Sequence, residues 1–386
     1  MLTLSDKAIV STLTHSEIFS LTERRDLPHV LRKQKAFLVR AIDPIPEGFA
    51  HYFIIGDVDV ILPAEIGFTR LKDDFAYLGE GDVVRVHGNG RVRALFRASS
   101  RHNSILLTEQ CNNYCLMCSQ PPKKHDDSWI IKDLKQMIPM LPRHVPSLGI
   151  TGGEPTIFGD EFLEFLQLCK SWLPYTSMHV LSNGRSFSDP KFSEKYAEIN
   201  HPDIMVGIPI YSDDPARHDY VVQAKGAFDE TIRGILNLKR LGQKVEIRVV
   251  IHKQTIERLP QLAEYIARNL LFVDQVALMG LEMTGFTRAN LGDLWIDPYN
   301  YRDTLSEAVA ILNNYKINIS VYNHQLCVLN PDVHPYCVKS ISDWKNEYAD
   351  ECAGCSKMNE CGGFFSSCIQ YGYSKHINPF AVDPSK

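Results

Sequence analysis

The sequence predicts an α/β fold whose core is a partial (β/α)6 barrel, and three observations support this prediction. Short apolar runs alternate with segments of helical periodicity between residues 103 and 322. The alternation repeats six times in succession, which favours a parallel sheet covered by helices. Six units are too few to close an eight-stranded barrel, so the sheet is expected to stay open.

Each of the six units joins a predicted strand to the helix that follows it. The predicted strands are SILLT, SLGIT, MHVLS, IMVGIPIY, VEIRVVI and VDQVALMG. The predicted helices are WIIKDLKQMIPML, DEFLEFLQLCKSWL, KFSEKYAEI, GAFDETIRGILNLKRL, TIERLPQLAEYIARNL and YNYRDTLSEAVAILNNY. In parallel α/β folds, ligands bind at the loops that follow the carboxyl ends of the strands.

The regions on either side of this core have different patterns. Residues 1–100 contain alternating runs such as HYFIIGDVDVIL and GDVVRVHGNGRVRALF, and the second run has a hairpin signal at residues 88–90. We therefore expect a small, mostly β domain over 1–100 with a helical lead-in, and the barrel core over 101–322. Residues 323–386 are rich in cysteine and show little periodicity, which predicts a loop-rich extension held by metal.

Composition restricts the class of protein. The chain has 386 residues, 44% hydrophobic and 23% charged, which is ordinary for a globular protein. Its net charge of −5 argues against non-specific binding to nucleic acid or anionic lipid. The N-terminus lacks the pattern of a secretory signal and no apolar run is long enough to span a bilayer, so we expect a cytoplasmic protein.

Nine of the ten cysteines fall into two clusters. Three lie within residues 111–118 and six within residues 327–368. In a reducing cytosol such clusters favour metal ligation over disulfides. Cys169 stands apart, and its helical spacing from Phe162, Phe165 and Trp172 predicts a core residue.

The first cluster has the spacing Cys-x3-Cys-x2-Cys and follows the first predicted strand of the core. Its members Cys111, Cys115 and Cys118 can ligate three irons of a cubane cluster, which leaves the fourth iron free to bind a cofactor or substrate. The alternatives are a zinc site or three buried cysteines. Zinc normally takes four ligands, and no fourth ligand with a knuckle spacing lies nearby.

This motif, placed after the first strand of a six-unit barrel, resembles the radical S-adenosylmethionine (SAM) superfamily. The resemblance implies a [4Fe–4S] cluster whose open iron is chelated by SAM. Reduction of SAM there gives methionine and a 5′-deoxyadenosyl radical, which abstracts a hydrogen atom. Many members have an aromatic residue before the third cysteine, whereas this chain has Met117, which can fill the same space beside the adenine.

Further residues match the SAM site of that superfamily. Gly152, Gly153 and Glu154 follow the second predicted strand and resemble its Gly-Gly-Glu motif, in which the carboxylate can pair with the SAM ammonium. The resemblance also implies SAM-binding roles for Asn183 and Ser212, which follow the third and fourth strands. Arg248 lies within an apolar predicted strand, where either the SAM carboxylate or a neighbouring acidic residue could be its partner.

The second cluster contains Cys-x2-Cys-x5-Cys and an upstream cysteine. Four thiolates could hold a structural zinc or an auxiliary iron–sulfur cluster. The spacing resembles the C-terminal SPASM or twitch extensions of peptide-modifying radical SAM enzymes, which favours one auxiliary cluster. The expected ligands are Cys327, Cys352, Cys355 and Cys361, with Cys337 and Cys368 as spare candidates.

A narrower resemblance covers the chain from about residue 100 to its end. The segments TEQCNNYCLMCSQPP, GLEMTGFTRANLGDLWIDPYNYRDTL and ECAGC resemble the HxsC-type maturases of the His-Xaa-Ser repeat system. That resemblance implies post-translational modification of a small His-Xaa-Ser repeat protein, beside a second radical SAM protein and with an electron donor such as flavodoxin or ferredoxin. The alternatives are a radical SAM enzyme acting on RNA or a small molecule, and a non-enzymatic iron–sulfur or zinc scaffold.

Two interpretations stay open for residues 1–100. Their alternating pattern suits recognition of a leader peptide by addition of its strand to a sheet edge. A structural cap on the open barrel explains the same pattern equally well.

Overall fold

The computed structural model describes residues 3–41, 44–62, 66–340 and 346–381. The chain divides into two compact units. The first unit comprises Met1–Leu107, Ser128–Gly149 and Glu164–Ser177, and the second comprises Thr108–Asp127, Ile150–Leu163 and Met178–Lys386.

The first unit is built on an eight-stranded sheet of mixed direction. Its strands are β1 (Ser5–Lys7), β2 (Val10–Ser11), β3 (Glu17–Thr22), β4 (Ala36–Val39), β5 (His51–Ile55), β6 (Phe68–Leu71), β7 (Val83–Val86) and β8 (Arg91–Phe96), in the order β1-β8-β7-β3-β4-β5-β6-β2. A short helix, α1 (His29–Arg32), joins β3 to β4. The unit also contains β9 (His102–Leu106) and α2 (Trp129–Met137), and it shares β10 (Ser147–Thr151) and α3 (Asp160–Trp172) with the second unit.

Alternation of side chains along the strands gives this sheet two apolar faces. In β5, Phe53 and Ile55 join one buried cluster, whereas Tyr52 and Ile54 join another. Successive residues of a strand point to opposite faces, so a run such as HYFII is buried on both sides. The expected hairpin is confirmed, because β7 and β8 pair antiparallel around residues 87–90. The expected helical lead-in is wrong: the chain enters through β1 to β3, and five of the six β3 residues are buried.

The two edge strands of this sheet both come from the N-terminal segment 5–11. β1 pairs antiparallel with β8 and β2 pairs antiparallel with β6. These two strands are three and two residues long. Strand addition needs a row of free backbone groups, and edges this short offer few of them.

The second unit contains a sheet whose strands pair in parallel and in chain order. They are β11 (Ser177–Leu181), β12 (Ile204–Pro209), β13 (Lys244–Val250), β14 (Gln275–Met279), β15 (Ile319–Tyr322) and β16 (Cys337–Val338). The helices are α4 (Pro190–Ile199), α5 (Pro215–Val222), α6 (Ala227–Arg240), α7 (Lys253–Ile256), α8 (Leu259–Asn269), α9 (Phe286–Ala289), α10 (Leu291–Leu294), α11 (Arg302–Asn314) and α12 (Ser366–Tyr371).

The expected α/β class is confirmed, since every one of the six predicted strands and six predicted helices is present and the parallel sheet curls into a half-barrel. In β13, Val245, Ile247 and Val249 are fully buried, and Glu246 and Arg248 alternate with them. One side of the strand therefore packs in the core while the other carries polar groups. No helix among the described residues has the length and apolar character needed to cross a membrane.

The chain after β15 has little regular structure, as its sequence predicts. Among the described residues beyond Tyr322, β16, α12, a few short 3-10 turns and one isolated bridge between Glu347 and Phe364 provide the regular hydrogen bonding. This Cys-rich C-terminal segment belongs entirely to the second unit.

Candidate functional site

The three cysteines of the first cluster lie together at an open cleft in the second unit. The loop 108–127 carries them, and all three line a cleft with an empty volume of about 1270 Å³. Burial raises the pKa of Cys111 to about 11 and also raises the pKa values of Cys115 and Cys118. Bare thiolates are thus disfavoured here, whereas a bound metal cation would stabilise them.

The backbone of this loop is fixed by neighbouring segments. Two of its amides donate to the end of α5, and three of its groups bond to residues 286–290. The bonds are Tyr114 N to Val222 O at 3.0 Å, Leu116 N to Val221 O at 2.9 Å, Phe286 N to Cys118 O at 2.8 Å, Thr287 Oγ1 to Met117 O at 3.0 Å and Asn290 Nδ2 to Leu116 O at 2.9 Å. These hydrogen bonds fix the backbone that carries the three cysteines.

Gly152 and Gly153 allow the cysteine loop to approach closely. The Gly153 amide donates to Thr108 O at 2.8 Å, and the Glu154 amide donates to Gln110 O at 2.8 Å. A Cβ atom on Gly153 would lie 2.1 Å from Gln110 O, and one on Gly152 would lie 2.8 Å from Thr108 O. Only glycine fits at this distance, so the two glycines are part of the support of the loop.

The Glu154 side chain is fully buried and its carboxylate accepts four hydrogen bonds. The donors are the Thr156 amide at 3.1 Å, Thr156 Oγ1 at 2.7 Å, Ser182 Oγ at 2.8 Å and the Asn183 amide at 2.5 Å. The carboxylate thus ties the loop after β10 to the loop after β11. Its pairing with the SAM ammonium stays a prediction.

Met117 and Asn183 line the cleft, whereas Ser212 lies beside it. Met117 packs against Tyr211, and Asn183 donates from Nδ2 to Asn112 Oδ1 in the cysteine loop at 2.6 Å. The Ser212 hydroxyl accepts from the Asp214 amide at 3.1 Å and shapes the turn that precedes α5. The positions of Met117 and Asn183 are compatible with their predicted roles, and the Ser212 hydroxyl already has a local partner.

The position of Arg248 is compatible with both partners that the sequence left open, a neighbouring acidic residue and the SAM carboxylate. It lines the cleft, and its Nη1 donates to Glu246 Oε1 at 2.5 Å. His179 Nε2 lies 3.6 Å from the same carboxylate oxygen. A Cβ atom on Gly207 would lie 2.9 Å from Arg248 Cδ, so this glycine leaves the space that the arginine occupies.

Two cleft residues were missed by the sequence analysis. Tyr211 is 7% exposed, lines the cleft beside the cysteine loop, and has its pKa raised by burial. Glu246 is buried and carries the ion pair that orients Arg248. A signal for Glu246 was present, because two charged residues at i and i+2 of an apolar strand face the same way.

The structure brings the four expected C-terminal ligands together. Cys327, Cys352, Cys355 and Cys361 all line one small pocket with an empty volume of about 330 Å³, in the second unit. Four thiols around one pocket are a donor set for either zinc or an iron–sulfur cluster.

The two spare cysteines lie outside this pocket. Cys337 is close enough to interact electrostatically with Cys361, and burial raises its pKa to about 12. Cys368 instead lines a neighbouring cavity with Tyr301, and burial raises its pKa to about 11.

The comparison with protein families concerns the region that carries this site. Residues 105–266 match the model of the radical SAM superfamily. This match covers less than half of the 386-residue chain. The match spans the three cysteines, the Gly-Gly-Glu motif and Arg248, and it ends before the C-terminal pocket.

Relatives of the chain differ in the reactions that their names describe. The chain is 28% identical over 165 residues to mycofactocin maturase MftC of Mycolicibacterium smegmatis, which covers 42% of this chain and 40% of the relative. It is 25% identical over 179 residues to a probable GTP 3′,8-cyclase of Methanocella arvoryzae, which covers 45% of this chain and 56% of the relative. The chain thus spans about half the length of these curated relatives.

A solved structure has the same fold. The structure of anSMEcpe with bound AdoMet and Kp18Cys peptide superimposes with a TM-score of 0.50 at 14% identity, covering 72% of this chain and 92% of the other. This similarity supports the half-barrel architecture.

Proposed function

We propose that this protein is a radical SAM enzyme that modifies a peptide. The observation that carries the proposal is the convergence of Cys111, Cys115 and Cys118 on one cleft, beside the glycines that support their loop. The radical SAM match over residues 105–266 supports the same reading.

The residues of the cleft fit a [4Fe–4S] cluster and SAM. Three half-buried thiols form a donor set that leaves one iron for SAM, and the adjoining cleft is large enough for a cofactor of that size. When bound, this pair supplies reductive cleavage of SAM, in which one electron breaks a carbon–sulfur bond and releases methionine and a 5′-deoxyadenosyl radical.

The other cleft residues bind and orient SAM. Arg248 supplies a cation for the SAM carboxylate, and Glu246 holds the guanidinium in place. Met117 and Tyr211 provide an apolar wall for the adenine. Asn183 offers a polar edge and is itself fixed by Asn112.

The C-terminal pocket holds an auxiliary cluster in this proposal. Cys327, Cys352, Cys355 and Cys361 supply four thiolates, enough to ligate every iron of a second [4Fe–4S] cluster. Structural zinc is the competing occupant, and metal analysis distinguishes the two.

The proposed substrate is a small protein with His-Xaa-Ser repeats. Its support is the resemblance to HxsC-type maturases, together with the similarity to a relative named as a maturase. The same resemblance gives the proposed partners, which are a second radical SAM protein and a flavodoxin or ferredoxin as electron donor. A cytoplasmic location is proposed from the sequence alone.

A second candidate function is modification of a small molecule. The observation that favours it is the similarity to the probable GTP 3′,8-cyclase, which covers a comparable part of this chain. An RNA substrate has less support, because the net charge is −5.

Anaerobic reconstitution tests the proposal. We expect about eight irons per chain in the wild type, about four in the Cys111/Cys115/Cys118→Ala variant, and 5′-deoxyadenosine from the wild type alone after addition of dithionite and SAM. About four irons and bound zinc in the wild type would assign zinc to the C-terminal pocket. No 5′-deoxyadenosine from a fully loaded wild type would favour a non-enzymatic scaffold.

A further inference from the structure

A second cavity lies in the first unit, where none of the residues proposed above is found. It has an empty volume of about 620 Å³ and is formed by residues of β7, β8, β9 and α2, together with Leu4. Its polar lining consists of Arg85, His87, Arg93, Ser104, Trp129 and Asp133, and the remaining lining is aliphatic. Arg85 gives this cavity a buried charged side chain.

Arg85 is a buried cation whose hydrogen bonding is incomplete. Its side chain is 9% exposed, and its guanidinium carbon lies 4.0 Å from the centroid of the Trp129 ring. Nη1 forms an ion pair with Asp133, whereas Nε has no hydrogen-bond partner within the described residues. Burial lowers the pKa of Arg85, as expected for a cation that lost more hydration than one carboxylate replaces.

The charges around the cavity are predominantly positive. Arg93 is exposed at the cavity, and its side chain makes no ion pair or hydrogen bond with any residue in the described part of the chain. The pKa of His87 is lowered first by burial and then by repulsion from Arg85, Arg91 and Arg93. Asp133 is the one carboxylate in the lining, so an added negative charge would be stabilised there.

The shape of the lining adds to this charge preference. Trp129 is 41% exposed and Leu4 is 38% exposed, so an aromatic and an aliphatic surface accompany the two arginines. Arginine binds carboxylates with paired donors, and apolar surface beside it favours a carboxylate that carries apolar neighbours. An acidic residue within a peptide has both properties, whereas a free inorganic anion has only the charge.

We propose that this cavity binds an acidic side chain of the peptide that the enzyme modifies, with Arg85 and Arg93 on the carboxylate and Trp129 against a neighbouring apolar residue. The inference rests on the proposed peptide substrate and adds a recognition site for it. Strand addition is poorly suited to this unit, because its two edge strands, β1 and β2, are only three and two residues long. The cavity provides a different place to recognise a peptide.

Peptide selection on the full-length, reconstituted protein tests the site. A phage library of random dodecapeptides is selected on the wild type, and the enriched sequences are synthesised with capped ends for fluorescence anisotropy. We expect enriched peptides to carry Asp or Glu beside Leu, Ile or Phe. Replacing that acidic residue by its amide is expected to weaken binding about ten-fold or more, because a charge-assisted contact is lost.

Variants of two arginines on the same strand supply the matched comparison. Arg93→Gln is expected to weaken binding of the acidic peptide about ten-fold and to reduce the effect of the acid-to-amide change. Arg91→Gln removes an equal charge from β8 without altering the lining, and less than about a two-fold change is expected. Arg93→Lys should restore part of the affinity. Arg85 is left intact because its removal would leave Asp133 without its partner.

The outcomes separate this site from the radical chemistry. Enriched peptides without an acidic residue, or equal affinity for wild type and Arg93→Gln, would overturn the site. Formation of 5′-deoxyadenosine is measured in the same preparations and should be unchanged in Arg93→Gln. If no preparation forms it while peptide binding still depends on Arg93, the proposed reaction fails and the recognition site stands.

Discussion

The two cysteine-rich sites of the second unit are built in opposite ways. In the first, the backbone of the loop 108–127 is bonded to α5 and to residues 286–290, and glycines after β10 fit closely against it. In the second, the four thiols lie on a segment that has little regular structure among its described residues. The comparison suggests that the fold positions the ligands at the first site, whereas metal ligation organises the chain at the second.

The largest effect is expected from Gly153→Ala, which would disrupt the close packing of this glycine against the cysteine loop at the first site. The new Cβ would lie 2.1 Å from Gln110 O, so the cysteine loop must shift. Because displacement of about 1 Å can reduce a reaction about 100-fold, we expect at least that loss of 5′-deoxyadenosine formation. The measurement is the initial rate of SAM cleavage with dithionite.

Gly292→Ala is the control for this substitution, since a Cβ there has no atom within 4 Å. The metal content of the C-terminal site should be the same in both variants. Normal SAM cleavage by Gly153→Ala would show that the loop is not held by close fit, and the contrast between the two sites would fail.

The next effect concerns the second site, where Cys352→Ala/Cys355→Ala removes two of its four thiols. We expect loss of about four irons, or of one zinc, and rapid tryptic cleavage after Lys357, because a segment with few regular hydrogen bonds has lost its ligation. SAM cleavage should stay within about two-fold of wild type. Metal analysis and timed proteolysis check both expectations.

Cys337→Ala is the matched control, because Cys337 does not line the pocket. It should keep its metal and its resistance to trypsin. Equal resistance of the double variant and the wild type would show that the C-terminal segment folds without ligation.

Acid is expected to loosen the start of the C-terminal segment. His324 follows β15, accepts from Tyr301 at Nε2 and donates from Nδ1 to Tyr322 O, both at 2.8 Å. Burial lowers its pKa to about 4 from 6.5. A folded pKa below the unfolded value means that this contribution to stability is complete above pH 6.5 and is lost as pH falls toward 4.

The difference of about 2.5 pKa units corresponds to about 3 kcal/mol. Hydrogen exchange at residues 323–338, compared at pH 7 and pH 5 after correction for the intrinsic rate, should show faster opening at the lower pH. His324→Gln should remove most of this pH dependence. The same acid response in that variant would assign it to another group.

Much of the fold could be predicted from the sequence because its strands and helices depend on short-range periodicity. The six strands and six helices of the core follow from alternation and helical spacing, and the structure places each of them. The prediction of a helical lead-in was wrong because β3 is buried on both faces. Its sequence therefore has no alternation that would distinguish a strand from a buried helix.

The candidate sites could be predicted only where the spacing of residues along the chain indicates their chemistry. Cys-x3-Cys-x2-Cys identifies three residues of one loop, and the choice of Cys327 with the later motif matches the four cysteines that line one pocket. The partners of Glu154 and the packing of Arg85 on Trp129 join segments distant in sequence. Such contacts leave no local pattern and need the fold before they can be seen.

The smallest predicted effect concerns a single hydrogen bond at the first site. Asn183 Nδ2 donates to Asn112 Oδ1 at 2.6 Å, which links the loop after β11 to the cysteine loop. Because a single hydrogen bond contributes about 1 kcal/mol, Asn183→Ala should weaken SAM binding about five-fold while the iron content is unchanged. Anaerobic calorimetry of SAM binding to the reconstituted protein measures this. Asn237→Ala removes hydrogen bonds to Phe187 O and Ser188 O outside the cleft and should leave SAM affinity unaltered. A loss of iron in Asn183→Ala would instead show that this one bond helps to hold the cluster ligands, and that the support of the loop is less redundant than its many backbone contacts indicate.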